Sequence, residues 1–326
     1  MKIDKYIEEN QPVLSQILKN VSQNNSFAHA YLISGSFGLP VSDIAKYIAK
    51  NIFCENRNPL CCNECENCRK IEEDNFLPLV IIDGSIETIK KEQIQNLEEL
   101  FSATTQEKSQ KRAYIINQVE NMTAESVNAL LKFLEEPNDN IYAILTTQNI
   151  LKVLPTIISR CQVVSLSPSN KPLLIKNSIE LGVDSSDAEL LSFIYSIPED
   201  VVTASEDENY KITKNLLINY LNSLVNPKES SRFNLEINVL PTLKNKFNAN
   251  LFLDLLVFFL NDALKLKIGQ NNILKSYDKL LEEIYNKIAN IEDVIFNIYQ
   301  KKSEINLNIN TNLLFIEIDR LLNKGN

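Results

Sequence analysis

Between Ala30 and Val164, short apolar runs alternate with amphipathic stretches. The runs are Ala30-Tyr31-Leu32-Ile33, Leu79-Val80-Ile81-Ile82, Ala113-Tyr114-Ile115-Ile116, Ile141-Tyr142-Ala143-Ile144-Leu145 and Gln162-Val163-Val164. Short, unalternating and rich in Ile, Val and Tyr, they suit strands buried on both faces. Val127, Leu130, Leu131 and Leu134 follow the i, i+3, i+4, i+7 spacing of a helix that Pro137 closes. A second helix is expected over Ile86 to Phe101. Strands alternating with helices predict a parallel α/β sheet covered on both sides, with right-handed crossovers.

After Pro168 the pattern changes. Residues 168–206 hold short helical segments, such as Ala188 to Ile194, and no convincing strand. From 207 to 326 helical periodicity dominates, and no proline follows Pro241. Leu251 to Leu260 is apolar nearly all round but too short for a bilayer, which predicts a buried helix in a bundle or a subunit contact. Leu313, Leu314, Ile316, Leu321 and Leu322 continue the helical theme. The expected organisation is therefore an α/β base over 1–167, a small helical piece over 168–206 and an all-α part over 207–326.

Composition narrows the class. With 326 residues, 44% hydrophobic and 23% charged, the chain can bury a sizeable core. Six glycines disfavour glycine-rich β architectures. A net charge of -9 argues against a protein that grips nucleic acid alone, because phosphate contacts need surplus cations. No apolar run approaches ~20 residues, and the start lacks the apolar stretch of a signal peptide. A cytoplasmic protein without membrane contact is expected.

Five of the six cysteines fall between Cys54 and Cys68, and Cys161 stands alone. A disulfide framework would spread them through a short secreted chain. Cys54, Cys62, Cys65 and Cys68 instead offer four thiolates with two Cys-x2-Cys turns, a set that suits tetrahedral zinc. All-sulfur ligation leaves no open position, so Zn2+ here would be structural. Cys61 is the surplus thiol and an alternative to Cys62 with poorer spacing; an iron–sulfur cluster is the alternative metal.

Gly35-Ser36-Phe37-Gly38-Leu39-Pro40-Val41-Ser42 follows an expected strand and opens a helix, where a G-x-x-x-x-G-K-[ST] phosphate loop belongs. Pro40 replaces its second glycine and Val41 its lysine. Proline donates no N–H to phosphate, and valine supplies no ammonium. The strand at Ala113 to Ile116 runs into Asn117-Gln118-Val119-Glu120, with amides where Mg2+ and an attacking water need carboxylates. Two halves of one hydrolytic site fail together, so no ATP is expected in it.

Four segments then carry a resemblance: Phe27 to Gly35, the cysteine insertion, Met122 to Pro137 with its Leu134-Glu135-Glu136-Pro137 end, and Leu154 to Gln162 with Ser159-Arg160-Cys161. In that order they resemble the AAA+ clamp-loader family of bacterial DNA polymerase III. The likeness is strong over roughly 10–166. It is weaker around Phe252 to Asp262 and near Asn308-Ile309-Asn310. The lost loop chemistry is similar to the delta-prime branch of the family, whereas tau/gamma members carry an intact loop.

The resemblance implies an AAA+ base, a helical lid and a collar that oligomerises. It implies a non-hydrolysing ring member that works with tau/gamma and delta subunits. The sliding clamp and primer-template DNA would be met through the assembled complex. It further implies that Arg160 is a trans arginine finger for the ATP of a neighbouring subunit, with Gly35, Gly38, Val41 and Ser42 a relic loop. Thr147 and Asn149 stand at the family's first sensor, where a turn-forming role is expected. His29 is expected to be a core hydrogen-bonding residue, and Glu135-Glu136 and Glu282-Glu283 solvated surface. The rival readings are a degenerate but active clamp-loader ATPase, and a zinc-bearing scaffold unrelated to replication.

Overall fold

The computed structural model describes residues 3–85, 87–102, 111–135, 140–243, 245–305 and 311–323. Ile86, Glu136, Pro137 and Asn308-Ile309-Asn310 therefore lie outside the described residues. The chain forms two compact units, Met1–Ser169 and Asn170–Asn326.

The first unit runs α1 (Ile3–Asn10), α2 (Pro12–Asn24), β1 (Ala30–Ser34), α3 (Val41–Phe53), α4 (Glu66–Glu72), β2 (Leu79–Asp83), α5 (Lys91–Ser102), β3 (Arg112–Asn117), α6 (Ala124–Glu135), β4 (Ile141–Thr147), α7 (Pro155–Ile158) and β5 (Gln162–Ser165). The five expected strands are all present and pair in parallel, in the order β2-β3-β4-β1-β5. β1 lies inside the sheet, and its Ala30 to Ile33 are wholly buried, which is why that run shows no polar alternation.

One face of the sheet packs Leu32, Tyr114, Ile116 and Leu145 against Ile94 and Leu97 of α5 and Leu130 and Leu134 of α6. Tyr114 stacks on Phe133 with ring centroids 5.2 Å apart. Helix α5 begins at Lys91, later than its apolar spacing suggests. Ile89 is diverted into a bridge with Met122. Its N–H donates to the Asn121 carbonyl and its own carbonyl accepts from Thr123, so its backbone is unavailable to a helix.

Register puts Ser34 beside Thr147 and Asp83 beside Asn117. The loops that leave β1, β3 and β4 therefore emerge together at the carboxyl edge of the sheet, where open α/β sheets bind ligands. At the same edge, the buried Gln11 clamps the chain just past β5. Its Oε1 accepts from the Ser167 amide (2.7 Å) and its Nε2 donates to the Ser167 carbonyl (3.0 Å).

The second unit is helical among its described residues: α8 (Lys171–Glu180), α9 (Ser185–Leu191), α10 (Pro198–Glu206), α11 (Glu208–Val225), α12 (Ser231–Asn234), α13 (Lys246–Lys267), α14 (Asp278–Lys287), α15 (Ile291–Ile305) and α16 (Thr311–Leu322). The segment expected helical to Ile194 stops at Leu191, where the Ser192 hydroxyl donates to the Glu189 carbonyl and offers the chain a turn instead. Helix α13 is the apolar axis: Phe252, Leu253, Leu255, Leu256, Val257, Phe259 and Leu260 are all buried in one cluster.

Three carboxylates tie the elements of this unit together. Asp262 accepts from the Ile273 and Leu274 amides (2.6 and 2.8 Å) and from Lys265. Asp319 accepts from Tyr220, Ser231 and Asn323. Asp187 on α9 accepts from Tyr210 and Lys214 of α11, both at 2.6 Å. Among the described residues, no helix is long and apolar enough to cross a membrane.

Candidate functional site

The loop between β1 and α3 has closed on itself. The Gly35 amide donates to the Thr147 carbonyl, Leu39 to Ser36 and Val41 to Leu39, the last at 2.8 Å. These donors are spent on the chain's own carbonyls, so they cannot cradle a phosphate. Pro40 adds no donor. Leu39 and Val41 turn inward and are buried at 5% and 4% exposure. A side chain at Gly35 would meet Val41 Cγ1 at 2.7 Å, with Leu39 and Leu166 at 3.2 Å. Gly38 supplies the turn, with φ +86°. Ser42, on the first turn of α3, lines a cleft of about 470 Å³ with Lys46, Asp83 and Asn117.

The ends of β3 and β4 are likewise held by internal hydrogen bonds, although Glu120 Oε2 is buried without a partner. Thr146, fully buried, donates to Asn117 Oδ1 (3.3 Å) and accepts from the Gln118 amide (3.1 Å). Gln118 adopts φ +53°, turning the chain out of the strand. Glu120 reaches across to accept from the Gln148 amide at 2.8 Å. Thr147 Oγ1 accepts from the Asn149 amide, and Asn149 Oδ1 accepts from the Leu151 amide. The sensor positions thus build a turn, as expected. His29 is exposed, not the core residue expected: it stands just before β1 begins, and only its backbone carbonyl is engaged, accepting from the Ala143 amide where β1 meets β4.

Arg160 follows the single turn of α7. Its Nη1 donates to the Thr156 carbonyl at 2.9 Å, and its Nη2 pairs with Glu135 Oε1 on α6 at 2.5 Å. The guanidinium stays about one-third exposed. Glu135 is exposed as expected and is in addition Arg160's partner; twenty-five residues of sequence separate the two, and only the packing of α6 beside α7 reveals the pair. Glu282 and Glu283 are exposed as expected. Cys161 sits against the core, and burial pushes its thiol up to about 12, the behaviour of an inert packing residue.

The four expected cysteines converge. All four sulfurs lie within 4.8 Å of one another. Cys54 Sγ is 3.6 Å from Cys62 Sγ and 4.0 Å from Cys65 Sγ. A tetrahedral ion with ~2.3 Å bonds needs sulfurs about 3.8 Å apart, so the set fits. Cys54 ends α3, Cys65 precedes α4 and Cys68 lies on its first turn. The Cys62 and Cys65 amides donate to the sulfurs of Cys54 and Cys62. The Glu64 amide and then the Cys65 amide lower the Cys62 thiol to about 7, favouring the thiolate.

Cys61 faces the other way. Its Sγ contacts Asn51 Nδ2 and Asn63 Oδ1 at 3.6 Å, and burial raises its thiol to about 12. Beneath it, the buried Asn51 accepts from the Cys61 amide (2.9 Å), and the buried Lys50 holds Glu72 and Asn63. Neither supporting residue carries a sequence signal of its own.

The family described as DNA polymerase III, delta subunit, matches residues 10–170. The chain is 31% identical over 326 residues to the DNA polymerase III subunit delta' of Bacillus subtilis, covering 98% of each. It is 29% identical over 318 residues to the DNA polymerase III subunit gamma of Buchnera aphidicola, covering 90% of this chain and 84% of that one. A solved DNA polymerase III gamma subunit-related protein of Thermotoga maritima aligns over 97% of this chain and 99% of its own, with a TM-score of 0.55 at 16% identity, and so shares the fold.

Proposed function

The chain belongs to the DNA polymerase III delta-prime family, and on that premise we propose that it is a clamp-loader subunit of DNA replication that does not hydrolyse ATP itself but supplies Arg160 to the ATP of a neighbouring subunit. The observation that carries this is the contrast between the two halves of the site. The nucleotide loop is filled by its own Leu39 and Val41, with the Gly35, Leu39 and Val41 amides spent internally. Arg160, in contrast, remains partly exposed and charged on its one-turn helix.

An arginine in trans opposes the charge that spreads over a transferring γ-phosphoryl group. Its planar fork does this better than a lysine ammonium. Such a finger is worth roughly 10³–10⁵ in rate in GTPases. The partners in this reading are tau/gamma and delta subunits, with the sliding clamp and primer-template DNA reached through the complex. Residues 1–167 act as the AAA+ base, 168–206 as the lid and 207–326 as the collar. Cys54, Cys62, Cys65 and Cys68 hold a structural Zn2+ that ties the end of α3 to the start of α4 and takes no part in chemistry.

The test is ATP turnover by a loader reconstituted with clamp and primed DNA, comparing the native chain with Arg160→Ala. Loss of turnover with assembly intact supports the trans role. Unchanged turnover reduces the chain to a scaffold. Nucleotide binding by the chain alone is expected to be absent, and tight Mg-ATP binding would revive the active-ATPase reading.

A further inference from the structure

We infer that Glu135 is a positioning residue for Arg160: it holds the guanidinium by one edge so that the rest of the fork is presented, already oriented, to a triphosphate on the neighbouring subunit. The inference rests on the proposed function. Its observation is the two-point seat of the side chain. Nη1 is fixed on the Thr156 carbonyl of Arg160's own turn, and Nη2 on Glu135 Oε1 of α6, a separate element. Ser159 Oγ, at 3.5 Å from Nη1, borders the same edge.

A free arginine side chain samples many rotamers, and ordering it at the moment of reaction costs rate. Two anchors on different elements fix both its reach and its plane beforehand. The guanidinium has five N–H donors. The contacts to Thr156, Ser159 and Glu135 take up Nη1 and one N–H of Nη2, which leaves Nε and the second N–H of Nη2 for phosphate oxygens. The pair is poorly placed to serve stability. Arg160 is 32% and Glu135 49% exposed, and ion pairs that open to solvent contribute little to folding. Glu135 itself stands at the last residue of α6, directly after the buried Leu134.

The experiment uses the reconstituted loader with clamp and primed DNA and reads kcat and KM for ATP. Glu135→Ala is expected to lower kcat on the order of 10-fold with KM unchanged, since only orientation is lost. Glu135→Gln, which keeps an oxygen acceptor for Nη2, is expected to recover most of that loss. The double variant Glu135→Ala/Arg160→Ala is expected to be no slower than Arg160→Ala alone, because Glu135 acts through the arginine. Turnover at the native rate or faster in Glu135→Ala overturns the inference, as does a loss that adds in full to that of Arg160→Ala. An Arg160→Ala loader that runs at the native rate overturns the underlying functional reading instead.

Discussion

Replacing Asp262 by alanine removes the most deeply buried carboxylate hub of the second unit. Asp262 is fully buried, and its Oδ2 accepts from two consecutive amides, Ile273 at 2.6 Å and Leu274 at 2.8 Å. Leu274 is itself fully buried, so in the variant its N–H has no water to turn to. Hydrogen bonds to a charged acceptor contribute about 1.5–3 kcal/mol each, and a stranded buried donor costs about 1–3 kcal/mol. Lys265, the third donor, is one-third exposed and rehydrates, so it adds little. The expected loss is about 3–5 kcal/mol, the range for removing one partner of a buried charge. Against a domain stability of roughly 5–15 kcal/mol this is severe. Urea unfolding of the full chain should show it as a lowered midpoint of the transition that belongs to the helical unit. Hydrogen exchange should show the Ile273 and Leu274 amides losing protection first. A loss below about 1 kcal/mol, with those amides still protected, would refute the reasoning.

Metal analysis of the purified chain is expected to find one zinc per chain, lost in Cys65→Ser but retained in Cys61→Ser, because Cys61 faces Asn51 and Asn63 rather than the other sulfurs. Gly35→Ala should destabilise the first unit by about 1–3 kcal/mol in a thermal melt, since the new methyl would meet Val41 at 2.7 Å with Leu39 and Leu166 close behind. Burial, helped by Lys265 and opposed by the Asp262 carboxylate, lowers the Lys171 amine to about 8. The unfolded amine titrates near 10.5, so between pH 8 and 10.5 the unfolded state binds more protons and stability rises with pH. Lys171→Met should flatten that rise in melts taken from pH 8 to 10, and an unchanged slope counts against the burial effect.

Much of this protein is legible in its sequence because the relevant signals are local. Strands buried on both faces must be continuously apolar, so Ala30 to Ile33 and Ile141 to Leu145 announce themselves, and the apolar circumference of Leu251 to Leu260 does the same for the central helix. Cys-x2-Cys spacing brings thiols together through a single turn, and a proline or valine in a phosphate loop removes a donor or a charge wherever the loop sits. What tertiary structure alone decided depends on residues far apart in the chain. Ile89 loses its helix because Met122 offers it a bridge. Cys61 is turned from its four neighbours by Asn51, ten residues earlier. Glu135, a surface charge, finds Arg160 as its partner because α6 and α7 are placed side by side by a sheet assembled from strands spread over more than a hundred residues. Local chemistry fixes which groups a segment carries, whereas the partner each group finds is set by long-range packing, for which a linear pattern holds no coordinate.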